Sequence, residues 1–149
     1  MDLQESTKVP VQALLPADKS QRAFGYLIDV LPLLLIGLIS LIPFVGIILY
    51  GFILIFYWLL RDITGGSLGK MAMGTKVVAK DGSPASTGAR ILRNVTLAIP
   101  GLVLAIPLVG YIGGPICGST MVLLEVFMLL GSGERVGDKI AGTIVVKRG

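Results

Sequence analysis

Two acidic residues lie within long apolar parts of the sequence. Asp29 stands inside the apolar stretch 22–41, and Glu125 follows 31 uncharged residues, 94–124. A carboxylate near the centre of a membrane-spanning helix costs about 2.5–3.5 kcal/mol on insertion scales, so such residues usually face the interior of a helix bundle and bind a proton, an ion or a cationic partner. If both carboxylates face one interior, they could flank one cation or share one proton.

Each carboxylate also has a simpler interpretation. Asp29 could form a structural ion pair that fixes helix packing, and Glu125 could extend to the membrane surface. Arg22 shares a helix face with Asp29, but helical side chains lean toward the N-terminus, which directs Arg22 to the headgroups. Arg93 is the better candidate counter-ion, because the repeat described below places it level with Gly25, one turn from Asp29. The structural and the titrating interpretations of Asp29 both stay open.

The composition limits the classes of protein and of chemistry that apply. Of the 149 residues, 54% are hydrophobic and only 15% are charged, and the mean hydropathy is +0.86, which is typical of an integral membrane protein. The sequence has no histidine and one cysteine, Cys117, which excludes imidazole chemistry, an internal disulfide and a multi-cysteine metal site. Since no nucleophile stands with a base either, we predict neither an enzyme nor a bound cofactor or metal.

Two uncharged runs predict the membrane helices. The runs 30–60 and 94–124 are each too long for one span, and proline and glycine interrupt each near its middle. We therefore predict an all-α membrane protein with four transmembrane helices in two tandem hairpins, at residues 22–41, 44–60, 90–109 and 112–130. A solvated tail, 1–21, precedes this membrane domain, 22–149.

The basic residues predict the orientation. All 13 lysines and arginines lie at the two ends of the chain or between residues 61 and 93, and the hairpin tips have none. The positive-inside rule then places both termini and the central connection in the cytoplasm. Topology and anionic lipid headgroups account for the net charge of +4, so we predict no nucleic-acid partner.

A shift of 68 residues aligns the chain with itself. Residues 22–80 then match residues 90–148, and both copies end in the pattern G-x-x-x-x-G-T-x-V-V. Each copy is predicted to be a hairpin followed by a short cytosolic segment, with an interfacial helix or a short strand. Pairing of residues 75–80 with 143–148 would join the two halves beneath the membrane.

Four parts of the chain carry a resemblance to a known family: Arg22 with Asp29, the segment SLGKMAMGTKVVAKDGSP, Arg90 with Arg93, and GDKIAGTIVV with Asp138. The chain resembles the RDD family of small membrane proteins, named for one arginine and two aspartates. The resemblance implies Arg22, Asp29 and Asp138 as that set, with Asp62 as a rival for the second aspartate. Family members often have a histidine where this chain has Gly137. The resemblance implies a bacterial inner-membrane protein, for which transport and cation/proton exchange are proposed.

The charged residues after the last predicted helix have two interpretations. They could be solvated pairs worth at most about 1 kcal/mol each, namely Asp138 with Lys139 and Glu134 with Arg135. Because Asp138 belongs to the matched motif, a role in capping or in binding a cytoplasmic arginine such as Arg22 or Arg90 is favoured.

We therefore expect a small transporter or transporter subunit that exchanges a cation against protons, with Asp29 and Glu125 as coupling acids. Four helices leave little interior for a water-filled path, so we also expect a homodimer or a larger assembly. The alternative is an accessory or structural subunit of a larger membrane complex. The expected partners are membrane lipid and a monovalent cation or proton. The predicted site residues are Arg22, Asp29, Arg93, Glu125 and Asp138, with Asp62, Lys70, Arg90 and Lys139 as secondary candidates.

Overall fold

The computed structural model of the protein describes residues 15–64 and 66–148, so residues 1–14 of the predicted tail lie outside the described residues. The first half contains α1 (Lys19–Ile36), a 3-10 helix (Gly37–Leu41), α2 (Val45–Leu60), α3 (Leu68–Ala72) and β1 (Thr75–Ala79). The second half contains α4 (Thr87–Leu92), α5 (Val95–Leu104), α6 (Val109–Ser132), α7 (Val136–Ala141) and β2 (Thr143–Lys147). The protein is mostly helical, with one two-stranded sheet.

Two of the described helical stretches, Lys19–Leu41 and Val109–Ser132, are long and apolar enough to cross a membrane. The apolar helices α2 and α5 are shorter, and the ten residues of α5 rise only about 15 Å. The buried apolar side chains that hold these helices together include Leu33, Leu54 and Leu97. Large apolar side chains also cover the outside of the helices, as expected for a surface that contacts lipid.

The predicted continuous helix over residues 90–109 is wrong. Helix α4 ends at Leu92 and α5 starts at Val95, so Arg93 and Asn94 form a turn between them. Both side chains are fully buried. The side-chain amide of Asn94 donates 3.2 Å to the carbonyl of Arg90 and 3.0 Å to Asp62 Oδ2. A polar side chain that bonds to nearby backbone in this way competes with helical hydrogen bonding.

Two similar turns join α1 to α2 and α5 to α6. Residues 42–46 read Ile-Pro-Phe-Val-Gly and residues 106–110 read Ile-Pro-Leu-Val-Gly. In each turn the residue after proline has a positive φ, 58° at Phe44 and 65° at Leu108, and the next helix starts directly afterwards. The final glycine of each turn is required, because a Cβ there would lie 2.0 or 2.3 Å from a backbone oxygen of the preceding segment.

The two strands pair antiparallel, with Thr75 opposite Lys147 and Ala79 opposite Thr143, which confirms the predicted pairing of residues 75–80 with 143–148. The described residues that precede α1 extend along β2. Leu15 accepts a hydrogen bond of 2.9 Å from the Lys147 N–H, and the Ala17 N–H donates 3.1 Å to the carbonyl of Val145. The start of α1 is thereby fixed to the sheet.

The short helices α3 and α7 pack on their neighbours through backbone. A Cβ on Gly69 would lie 1.7 Å from the carbonyl oxygen of Gly25 in α1. A Cβ on Gly137 would lie 1.8 Å from the carbonyl oxygen of Arg93, just before α5. These close contacts bring the polar groups of α3 and α7 against the ends of the long helices that lie away from the turns at residues 42–46 and 106–110, where the charged residues meet.

Candidate functional site

Asp29 in α1 is almost fully buried, and both oxygens of its carboxylate accept hydrogen bonds. Its Oδ2 accepts hydrogen bonds from Arg61 Nη1 at 2.9 Å and from the Ser67 hydroxyl at 2.6 Å. Its Oδ1 accepts 2.7 Å from the Gly69 N–H, which the close packing of α3 makes possible. The counter-ion is therefore Arg61, and the expectation of Arg93 in that role is wrong. This set of donors supports the structural interpretation of Asp29.

Arg61 follows the last residue of α2 and is held on several sides. Its guanidinium lies 4.4 Å from the centre of the Trp58 ring and 6.0 Å from that of Tyr26, within the range of cation–π attraction. Its Nη2 lies 3.5 Å from Asn94 Oδ1. The arginine thus links α1 and α2 to the turn before α5.

Asp62 forms a second buried group. It accepts hydrogen bonds from Lys70 Nζ at 2.6 Å and from Asn94 Nδ2 at 3.0 Å, and Arg93 Nε lies 3.9 Å away. Burial alone would raise the pKa of Asp62, but the positive charges of Lys70, Arg61 and Arg93 bring it well below its usual range. Burial, together with those two arginines, lowers the pKa of Lys70. Asp62 is therefore ionised at neutral pH and supplies the negative charge beside Lys70 and Arg93.

Asp138 in α7 forms the third group. It accepts a hydrogen bond from Arg22, one of the two arginines considered for it, and Arg135 Nε lies 3.7 Å away. Arg93 Nη2 lies 2.5 Å from Asp138 Oδ1 as an ion pair that lacks the alignment of a hydrogen bond. Burial would raise the pKa of Asp138, but Arg93, Arg135 and Arg22 lower it to about 2. Burial lowers the pKa of Arg93 to about 10, so this pair is charged at neutral pH.

The surface interpretation of the residues after α6 is wrong for two of them. Asp138 is 1% exposed and Arg135 is 7% exposed. Glu134 pairs instead with Lys80 at the surface, at 3.4 Å. The exposed Lys139 lies outside this buried cluster. Arg90, the other cytoplasmic arginine considered for Asp138, donates 3.2 Å to the carbonyl of Ile63.

Glu125 in α6 differs from the three aspartates. It is 3% exposed, so it does not extend to the membrane surface. Its Oε1 accepts one hydrogen bond of 2.6 Å, from the hydroxyl of Thr96 in α5. Its Oε2 has no hydrogen-bond donor among residues 15–64 and 66–148, and no cation of those residues lies within ion-pair distance. Oε2 of Glu125 is therefore a buried acceptor without a hydrogen-bond partner among the described residues.

A cavity of about 110 Å³ lies between α1, α6 and the buried charges. Five of the predicted site residues line it, together with two arginines that the sequence analysis did not single out. The charged lining residues are Arg22, Asp29, Arg61, Lys70, Arg93, Glu125 and Arg135. Asp62 and Asp138 contact these cations but do not line the cavity, and neither do Arg90 and Lys139.

Sequence reasoning missed several residues of this cluster. Arg61 directly follows the apolar residues of α2, and Arg135 lies five residues after Leu130, near the end of α6, positions that the positive-inside rule explains without any site. Ser67, Asn94 and Thr96 are uncharged and stand near the ends of apolar runs. A usable signal was present in Asn94 and Thr96, because two polar residues at the start of a predicted span need hydrogen-bond partners inside it.

The family whose sequence model is described as the RDD family matches residues 16–142 of the chain. This range contains all the charged residues of the buried cluster. No curated protein and no solved structure matches the chain.

Proposed function

Since the chain belongs to the RDD family, which is membrane-associated, we propose that it is a small transporter or transporter subunit of the bacterial inner membrane. The observation that carries the proposal is Glu125: a buried carboxylate between two apolar helices, on a cavity, with one oxygen unbonded among the described residues. Buried carboxylates of this kind are typical of ion and proton pathways in membranes.

The proposed topology has four membrane helices as two hairpins, α1 with α2 and α5 with α6. The tips at residues 42–46 and 106–110 carry no charge, whereas the charged cluster lies at the opposite ends of the helices, which supports cytoplasmic termini. The similar tips and the matching backbone contacts of Gly69 and Gly137 support an internal repeat. A homodimer or a larger assembly is part of the proposal, since the apolar outer faces can bind either lipid or another subunit.

Glu125 is the proposed proton-coupling residue, whereas Asp29 fixes the helices. Both oxygens of Asp29 already accept hydrogen bonds from Arg61, Ser67 and Gly69, so this carboxylate is engaged in holding α1 to its neighbours. At Glu125 a proton can bind to Oε2 without the loss of the hydrogen bond from Thr96. This geometry supports the proton half of the cation/proton exchange that the family resemblance implies.

The test is proton movement in proteoliposomes that contain the purified protein and a trapped pH-sensitive dye. We expect gradients of Na⁺, Li⁺, K⁺ or a small oxyanion to drive proton movement in the wild type. Glu125→Gln should abolish it, and Glu134→Gln, which changes an exposed carboxylate, should leave it within twofold. Proton movement that is equal in Glu125→Gln and the wild type, or absent with every gradient, would contradict the proposal.

The closed ion pairs favour a second candidate, an accessory subunit of a larger membrane complex. Asp29, Asp62 and Asp138 all have cationic partners, as expected where charges serve only to assemble helices. Gentle detergent extraction distinguishes the two candidates. A stable hetero-complex, unaffected by Glu125→Gln, supports the accessory role.

A further inference from the structure

We propose that the cavity binds an oxyanion, the phosphate or carboxylate group of a lipid headgroup or of a small solute, on Arg93 and Arg135. If the protein transports this anion, the anion is the substrate of the proposed function, and that part of the inference rests on the proposed function. The claim that the cavity binds an anion is argued from the geometry alone.

The charges around the cavity are unbalanced. Five cations line it and only two carboxylates do. The two aspartates that contact those cations from behind raise the acids to four, which leaves one positive charge in excess within the buried cluster. An uncompensated buried charge is costly, and an anion in the cavity would supply the missing partner.

Several guanidinium nitrogens also lack hydrogen bonds. Arg93 is completely buried, and its Nη1 has neither a hydrogen bond nor an ion-pair contact within the described chain, whereas its Nη2 and Nε face Asp138 and Asp62 as ion pairs without hydrogen-bond alignment. Nη2 of Arg135 and Nε of Arg61 also lack hydrogen bonds among the described residues. These three arginines line one cavity, and the planar guanidinium presents donors in the geometry that phosphate and carboxylate groups accept.

A metal cation fits the cavity less well. Ca²⁺ and Mg²⁺ take six or more oxygen ligands. Here the oxygens of Asp29 are already bonded to Arg61, Ser67 and Gly69, so the only lining carboxylate oxygen that lacks a donor among the described residues is Oε2 of Glu125. An oxyanion would also repel the Glu125 carboxylate, so its binding would favour a proton there, which links the anion to the proposed proton coupling.

The size and the rim of the cavity suit such a group. Its volume of about 110 Å³ exceeds three times the roughly 30 Å³ that one water molecule occupies in the liquid. The apolar residues Ala23 in α1 and Val126 and Leu130 in α6 line it and are exposed at the outer surface. The rim can therefore admit a free anion or lie against the acyl chains of a lipid whose headgroup is inside.

Tryptophan fluorescence of the purified wild type measures binding. Trp58 is the only tryptophan, and its ring lies against Arg61, a residue of the cavity wall. The probes are inorganic phosphate and acetate, added to the protein in phosphate-free maltoside micelles with choline chloride as the ionic-strength control, and phosphatidylglycerol, added to the same micelles in phosphate-free buffer. Saturation by phosphate or acetate identifies a solute site, and saturation by phosphatidylglycerol alone identifies a lipid site.

The matched variants are Arg135→Gln and Lys139→Gln, which remove the same charge from the buried and the exposed side of α7. We expect Arg135→Gln to weaken binding tenfold or more and Lys139→Gln to change it less than twofold. Arg135→Lys keeps the charge without the planar fork and should weaken binding in a protein that still unfolds at the wild-type temperature. Equal effects of Arg135→Gln and Lys139→Gln, or no saturation with any probe, would overturn the inference. Binding is measured without a gradient, so the two proposals can fail separately. Anion binding without proton movement refutes only the transport proposal. Cation-driven proton movement without anion binding refutes only the inference that the cavity binds an oxyanion.

Discussion

Asp29→Asn tests whether the buried carboxylate holds the helices together. The three donors to Asp29 come from Arg61, Ser67 and Gly69, and they occupy both oxygens. An amide offers one acceptor oxygen, so one orientation turns its NH₂ toward the Gly69 N–H and the other turns it toward the other two donors. In either case the Arg61 guanidinium loses the carboxylate to which it is hydrogen-bonded and keeps only the longer-range attraction of Asp62, while its surroundings stay buried.

The magnitude follows from this loss. Removal of one member of a buried ion pair costs about 3–5 kcal/mol when the remaining charge is uncompensated, and the negative charge of Asp62 near Arg61 places Asp29→Asn toward the lower end of that range. For a chain of this size, 1 kcal/mol changes the melting temperature by roughly 2–4 °C, so we expect a decrease of roughly 6–20 °C. The double variant Asp29→Asn with Arg61→Met removes both charges while it keeps an acceptor oxygen for Ser67 or Gly69, and it should recover part of that stability. Glu134→Gln, at the exposed pair with Lys80, should cost less than about 1 kcal/mol.

The assay is thermal unfolding of the detergent-solubilised protein, followed by far-ultraviolet circular dichroism and checked by tryptophan fluorescence. Circular dichroism is the primary signal because Trp58 contacts Arg61 directly. A melting temperature for Asp29→Asn equal to that of Glu134→Gln would refute the structural role. So would a double variant less stable than Asp29→Asn, since the two charges would then contribute independently.

Two further predictions concern acid stability and topology. The pKa of Asp138 is about 2 in the folded protein and about 3.9 in an unfolded chain. The unfolded state therefore binds more protons between these pH values, and about 2–3 kcal/mol of stability is lost as the pH falls through that window. A plot of melting temperature against pH should show this loss and Asp138→Asn should flatten the curve, whereas a wild-type curve that is flat from pH 5 to 2 would contradict the ion pairing. In a Cys117→Ser background, a membrane-impermeant thiol reagent outside the cell should label Phe44→Cys and Leu108→Cys at the exposed tips but not Lys139→Cys, and the reverse pattern would contradict the proposed orientation.

The sequence was sufficient where a local pattern determines the structure. The repeated G-T-x-V-V segments pair in the predicted sheet because alternation and spacing define a strand and its register. Asp29 lies inside an apolar run and was expected to face an interior, and it is buried. For Glu125 the sequence left burial and extension to the membrane surface open. Arg22 was one of two arginines considered for Asp138, because Asp138 belongs to the motif that carries the family resemblance.

The counter-ion of Asp29 could not be predicted from the sequence, because it depends on a turn in the chain. A straight helix over residues 90–109 would place Arg93 at the depth of Gly25, one helical turn from Asp29. The turn at Arg93 and Asn94 instead directs Arg93 to Asp138, and Arg61 takes the place beside Asp29. The alignment shift of 68 residues also hid the similar tips, which recur after 64 residues, at 42–46 and 106–110.

The distances in sequence between the paired charges order the events of biosynthesis. The donors to Asp29 lie 32 to 40 residues downstream, and Asp138 lies 116 residues after Arg22. When α1 leaves the ribosome, neither Asp29 nor Arg22 has its partner, and Arg22 gains Asp138 only after another 116 residues have been translated. The buried charges can therefore assemble completely only after α7 has been made, and β2, which follows α7, then binds residues 15–17. A copy truncated before α7 would leave the Arg22 guanidinium without its carboxylate partner.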